Sequence, residues 1–202
     1  MGELPSGTRE RVLQAAYELF YRKGFVRVGL DAIAQAAGVT KRTLYYHFRS
    51  KDDLLAAALA FHHELAMARI ERWGAGLPRD LDGFLDALFS ELARWASQPR
   101  WEGAGFTRLV MELADLPGHP ARAVARHHKA TLEAWIAREL AARNVDRAVD
   151  KAEQLQLVLE GCFALLLVHG DKRYLDRAAA AAKVLTSNAI EIAPDVSVLS
   201  AD

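Results

Sequence analysis

Residues 31–48 constrain the fold of this chain more than any other stretch. They read as two short helices, about Leu30 to Ala37 and Lys41 to Phe48, forced across each other by a tight turn. Helices that cross closely need a small side chain at the contact, and Ala34 supplies it. The turn needs a positive φ, which Gly38 adopts without steric cost. Ile33, Ala37, Val39, Leu44 and Phe48 then form a small core that fixes the angle, and Thr40 stands at the N-cap of the second helix. The face left exposed on that helix offers Lys41, Arg42, Thr43, Tyr45, Tyr46 and His47. These are hydrogen-bond donors suited to phosphates and base edges, gathered on one helical face and its flanks.

The charge distribution agrees with a polyanion-binding head. The net charge is zero, yet residues 1–51 hold nine Lys/Arg against four Asp/Glu, a net of +5. The remaining 151 residues hold seventeen against twenty-two, a net of −5.

The rest of the chain reads as helical throughout. Only six prolines occur, and no period-2 run is convincing. About nine helices emerge, so the expected fold is all-α, with an N-terminal three-helix unit over residues 1–50 and a larger helical body over 51–202. Thr8 to Lys23 carries Val12, Leu13, Ala16, Leu19 and Phe20 on one stripe, with Gly24 as its stop. Ser50 caps a helix running to about Trp73, with Asp52 and Asp53 in the first turn where the helix dipole favours them. Asp80 caps a helix ending near Ser97. A less regular segment, Trp101 to Asp115, is weakened at its start by Gly103 and Gly105. Three helices follow, at about 121–143, 146–169 and 172–192.

A hydrophobic fraction of 51% with 26% charged residues is that of an ordinary globular chain. The longest apolar run, Leu157 to Val168, contains Glu160 and Gly161 and falls short of a bilayer span, and no signal-peptide pattern precedes Thr8. The single cysteine, Cys162, lies in that run and reads as a buried thiol. A cytoplasmic location and no membrane partner are expected. No nucleophile elbow, phosphate-binding glycine loop or carboxylate pair points to an enzyme, and no cofactor is implied. An enzyme would also leave the basic helix face unexplained.

These residues carry a resemblance to the TetR family of bacterial transcriptional regulators. The likeness opens at Thr8-Arg9-Glu10, passes through Gly24-Phe25, and is densest from Ile33-Ala34 through Leu44 to Phe48 and on to Ser50-Lys51. It covers about the first quarter of the chain; the remainder is similar only in helical layout. The resemblance implies a homodimer reading a palindromic double-stranded DNA operator. It also implies an all-helical domain for effector binding and dimerisation, coupled to the head through the long fourth helix. By position, Lys41, Arg42 and Thr43 are implied to read base edges, and Thr40, Tyr45, Tyr46, His47 and Lys51 to meet phosphates. One position departs: Gly29-Leu30 stands where the family commonly starts this helix with Ser or Thr, leaving a backbone N–H for the phosphate.

In the body, residues 157–168 are apolar nearly all round, so that helix needs cover on more than one face. With the small residues Ala178 to Ala182, Leu185 and Ala189 of the next helix it suits a four-helix dimer seam; a purely intramolecular core is the alternative. Aromatic side chains gather near the irregular segment, Trp95 among them, and Trp101, Phe106, Trp135 and Phe163 are the candidate walls of a small-molecule site. Glu112, His119, His127 and His128 raise the question of a metal. No two histidines are spaced i, i+4, and His62-His63-Glu64 lacks the second histidine of a zincin, so no metal site is expected. The function expected is therefore a ligand-responsive repressor, against two alternatives: an enzyme, or a ligand-binding protein without DNA binding.

Overall fold

A computed structural model describes residues 7–99 and 101–187. Among these the regular structure is entirely helical, in nine segments. The first, α1 (Thr8–Lys23), buries Val12, Leu13, Ala15, Ala16 and Phe20 and stops at Gly24, whose φ of +84° breaks the helix while its N–H still bonds to Phe20 O. Helices α2 (Leu30–Ala37) and α3 (Lys41–His47) flank the predicted turn. Gly38 takes φ +65° and ψ +38°, and its N–H and that of Val39 bond back to Gln35 O at 3.1 Å and Ala34 O at 2.9 Å. Left-handed glycine closing a helix in this way satisfies carbonyls that would otherwise be orphaned.

Helix α4 (Lys51–Gly74) runs 24 residues, about 36 Å at the usual rise. Ser50 Oγ accepts from Asp53 N at 3.0 Å, capping the helix, and Asp53 Oδ2 accepts from Arg49 N one residue before the cap at 3.1 Å. α5 (Leu81–Ala96) starts at Asp80, whose carboxylate accepts from Gly83 N at 2.7 Å. The irregular segment condenses into one short helix, α6 (Gly105–Met111), with turns on either side. α7 (Pro120–Ala141), α8 (Ala148–His169) and α9 (Arg173–Thr186) complete the described body. Ala189 and the predicted end of the last helix near residue 192 lie outside the described residues.

Two buried clusters organise these helices. One joins α1, α2 and α3 to the first half of α4, to α6 and to the start of α7. The other joins α5, the second half of α7, α8 and α9. Residue 50 is thus a boundary in the chain but not in the packing: Leu54, Leu55, Ala58 and Leu59 complete the core of the head.

Packing also reassigns the alanines of α9. Ala178 and Ala182 are buried inside the protomer, in the cluster with α5 and α8, and Lys183 ties α9 to Asp86 of α5 at 2.7 Å. An exposed apolar face lies on α8, where Leu157 and Val168 are each 74% exposed and Leu165 and Leu167 are also exposed, and α9 likewise leaves Ala180 and Val184 exposed. By length and mean hydropathy α8 is long and apolar enough to cross a bilayer, contrary to the expectation from its interrupted run. Its other face, with Leu155, Leu159, Cys162, Phe163 and Leu166, is built into the core.

Candidate functional site

The head exposes one continuous surface on α3. Lys41, Arg42, Tyr45 and Tyr46 are all exposed, the two tyrosines at 50% and 84%, while Leu44 and Phe48 anchor the opposite side. Large aromatic side chains left this open on a seven-residue helix have no role in the protomer's own core. Thr40 caps α3 by accepting from Thr43 N at 3.1 Å, and the two hydroxyls sit 2.9 Å apart. Lys41 is held by Asp31, Nζ to Oδ1 2.9 Å, which raises its pKa through that hydrogen bond and charge.

Two predicted contacts stand apart from that surface. His47 is half-buried, edge-on to Tyr46 at 5.1 Å. Lys51 is tied back to the head: its Nζ donates to Val26 O at 3.3 Å and lies 4.4 Å over the Phe25 ring. Partial burial there lowers its pKa. It braces the α1–α2 turn against α4 while staying partly exposed. Gly29 caps α2 without a side chain, which leaves the first backbone N–H groups of that helix open, as the sequence anticipated.

A partly open cavity of about 270 Å³ lies between α1, α4, α5, α6, α7 and α8. Phe106, Trp135 and Phe163 line it as expected. Trp101 does not: it stands behind the wall, edge-on to Trp95 at 5.6 Å, while Trp95 of the same aromatic cluster lines the cavity. Trp73, Tyr17, His62, His128 and Gln156 also line the cavity and were not foreseen as such. His128 stacks on Phe106 at 3.7 Å, and its Nδ1 lies 3.1 Å from Nδ1 of His63, so one ring donates and the other accepts. Burial first, and then nearby Lys129 and the neighbouring histidines, pushes His128 down to about 3. Burial and Arg69 push His62 down to about 4.

The segment before and through α6 is fastened directly to the head. Tyr21 Oη accepts from Glu102 N at 2.7 Å and donates to Gly103 O at 3.0 Å. Arg108 bridges Glu102 and the Tyr21 carbonyl. Glu112 accepts from Val26 N at 3.3 Å and fills the space beside Gly24, where a Cβ would lie 2.9 Å from its carboxylate oxygens. Gly105 meets α1 just as closely, since a Cβ there would fall 2.5 Å from the Tyr17 hydroxyl. Tyr17 and Tyr21 stack one turn apart, 5.9 Å between centroids. One of this pair lines the cavity and the other holds the fastening. Nothing in the sequence flagged the contacts between α1 and this segment, because they join residues more than eighty positions apart.

Glu112, His119 and the paired histidines do not converge. Glu112 faces Gly24, His119 Nε2 lies 3.5 Å from Asp52, and His127 and His128 face His63. Among the described residues no three His, Cys, Asp or Glu side chains come together at metal-ligating distance.

An exposed basic and aromatic recognition helix on an all-helical body with a largely apolar cavity defines the class of helix-turn-helix transcriptional regulators. A sequence profile described as "Bacterial regulatory proteins, tetR family" matches residues 12–58. The solved structure of a putative TetR transcriptional regulator from Streptomyces avermitilis is 32% identical, covers 88% of this chain and 99% of its own, and superposes with a TM-score of 0.71. A TetR-family regulator from Streptomyces coelicolor is 25% identical over 89% of this chain and 94% of its own, with a TM-score of 0.78. The chain belongs to the TetR family of transcriptional regulators. The HTH-type regulator TtgR of Pseudomonas putida is 42% identical over 57 residues, 28% of this chain and 27% of its own. UidR of Escherichia coli K12 is 40% identical over 62 residues, 32% of its own length. The chain is thus matched to about a quarter to a third of the length of these curated relatives.

Proposed function

We propose that this regulator is a cytoplasmic, homodimeric, non-catalytic repressor that leaves a palindromic operator when a small, largely apolar effector enters the cavity. The observation that carries the reading is the fastening of α6 to α1. One short helix touches the cavity through Phe106 and the DNA-binding head through Arg108, so a ligand that moves it must move the head. Leu109 and Leu113 pack in the same cluster as Leu54 and Leu55, which carries the same displacement to the start of α4.

In this reading residues 1–50 form the DNA-binding unit and 51–202 the effector and dimer unit. Lys41, Arg42 and Thr43 read base edges, while Thr40, Tyr45 and Tyr46 meet phosphates, with His47 at the margin. Lys51 acts on DNA through the turn it braces. Phe106, Trp135 and Phe163 contact the effector, and Trp101 supports Trp95 from behind. The exposed face of α8 pairs with its copy, so that two heads dock on half-sites about one helical turn apart or slightly more.

Selection of binding sequences from random DNA, followed by titration at several salt concentrations, tests the reading. The expected product is a palindrome whose affinity falls steeply with salt as counterions are released. Absence of any salt-sensitive sequence preference would sink the DNA assignment. A screen of hydrophobic compounds against the selected operator then tests release.

A further inference from the structure

The cavity has a polar side as well as its aromatic walls, and the two together narrow the ligand. His62 Nδ1 and Gln156 Oε1 are both cut off from water and have no hydrogen-bond partner. They belong to opposite helices, α4 and α8, and both residues line the cavity. Buried polar atoms are nearly always paired, because leaving one unpaired forfeits its hydration without return. A terminal torsion of either side chain is soft and roughly two-fold, so each polar atom can be turned toward an occupant.

Charge in the walls is already balanced. Lys129 pairs with Glu160, which also accepts from Thr107 Oγ1 at 2.6 Å, and Glu91 has Arg94 as its counter-charge at 2.6 Å although its buried Oε2 makes no hydrogen bond. An ionic ligand would bring an unpaired charge among the tryptophans, at a desolvation cost. Arg69 is the exception, and it lies exposed to solvent.

We propose that the cavity takes an uncharged aromatic molecule bearing a ring hydroxyl or N–H, held flat among Trp73, Trp95 and Trp135 with its polar edge on His62 and Gln156. The proposal rests on the reading of this cavity as the effector site. Its chemistry is consistent with two groups already there. His62, pushed down to about 4, stays a neutral imidazole with one accepting nitrogen at ordinary pH. The Tyr17 phenol, 3.3 Å from the His62 ring, is raised well above the usual phenol range by burial, so a phenolic hydroxyl in this place keeps its proton.

Calorimetric titration of the full chain with four probes of one size tests this: 2-naphthol, 2-methylnaphthalene, 2-naphthoate and N-methylquinolinium. The expected order puts 2-naphthol at least about tenfold tighter than 2-methylnaphthalene, with both ions weaker still. In His62→Leu, with helicity checked by circular dichroism, that advantage should shrink to about twofold or less. Equal binding of 2-naphthol and 2-methylnaphthalene to the unaltered protein overturns the proposal whatever the variant does, because it means that water or a rearranged side chain already serves His62. Tighter binding of 2-naphthoate overturns it too, and assigns the polar edge to Arg69. If none of the four binds while the protein still holds its operator, the effector-site reading falls with it; if only the hydroxyl preference is missing, that reading stands.

Discussion

In the proposed DNA-reading role Lys41 starts out already engaged. Its ammonium is shared with Asp31 across the turn, both side chains well exposed, so the ion pair is weak and open to salt. A base or phosphate must take Lys41 from that carboxylate. Asp31→Ala should therefore tighten operator binding several-fold at low salt, with the gain fading as ionic strength rises; anisotropy titrations at two salt concentrations read this directly. Arg42→Ala should cost about 1–3 kcal/mol and relax preference at one base position, whereas Tyr45→Phe should weaken all sequences alike. These residues were legible in the sequence because helical period and charge alone place them outward. His62 and Gln156 were not, since a cavity wall drawn from six helices has no spacing to read. Those histidines also set an acid limit. His62 and His128 titrate in the fold near 4 and 3 but near 6.5 when unfolded, so the unfolded chain binds protons first. Stability should decline as pH falls below about 6.5 and level off once the folded values are passed. Melting temperatures measured from pH 7 to 4 should show a shallower decline in His62→Gln/His128→Gln than in the parent protein.

At the scale of helices, most boundaries were visible as chemistry. Gly24, Gly38, Ser50 and Asp80 stop or start helices where capping rules put them. Gly38→Val should lose about 1–2 kcal/mol in denaturant unfolding, because a branched residue resists the left-handed conformation. The alanines of α9 divide between two roles for a physical reason: small residues permit close approach without saying which neighbour approaches, and Ala178 and Ala182 turn inward while Ala180 stays exposed. The register of α6 against α1 was invisible for the same reason, since hydrogen bonds from Tyr21 to Glu102 and Gly103 leave no local trace. Tyr21→Phe removes both and leaves the cavity walls intact. Ligand affinity of the free protein should change little, while the factor by which ligand weakens operator binding, typically worth about 1–3 kcal/mol, should shrink measurably. Unchanged coupling would assign the signal to α4 alone.

Across the whole molecule, the proposed assembly rests on the exposed apolar face of α8. A carboxylate placed there would be buried unpaired in a dimer and harmlessly solvated in a monomer. Ala164→Glu lies on the exposed side of α8 between Leu157 and Val168. It should give a folded monomer by light scattering, and operator affinity should fall with it, since one short helix contacts few bases. A variant that remains dimeric would move the seam to another face.

The tryptophans carry a consequence of their own. The chain has four; Trp73, Trp95 and Trp135 line the cavity, and Trp101 leans on Trp95. The reading head has none. Ultraviolet emission from the unlabelled protein therefore reports on the cavity and is blind to the DNA surface itself. Any change in that emission when operator is added, with no ligand present, is the conformational message seen travelling backward, and its absence under saturating DNA would mean that the two ends of the molecule do not speak.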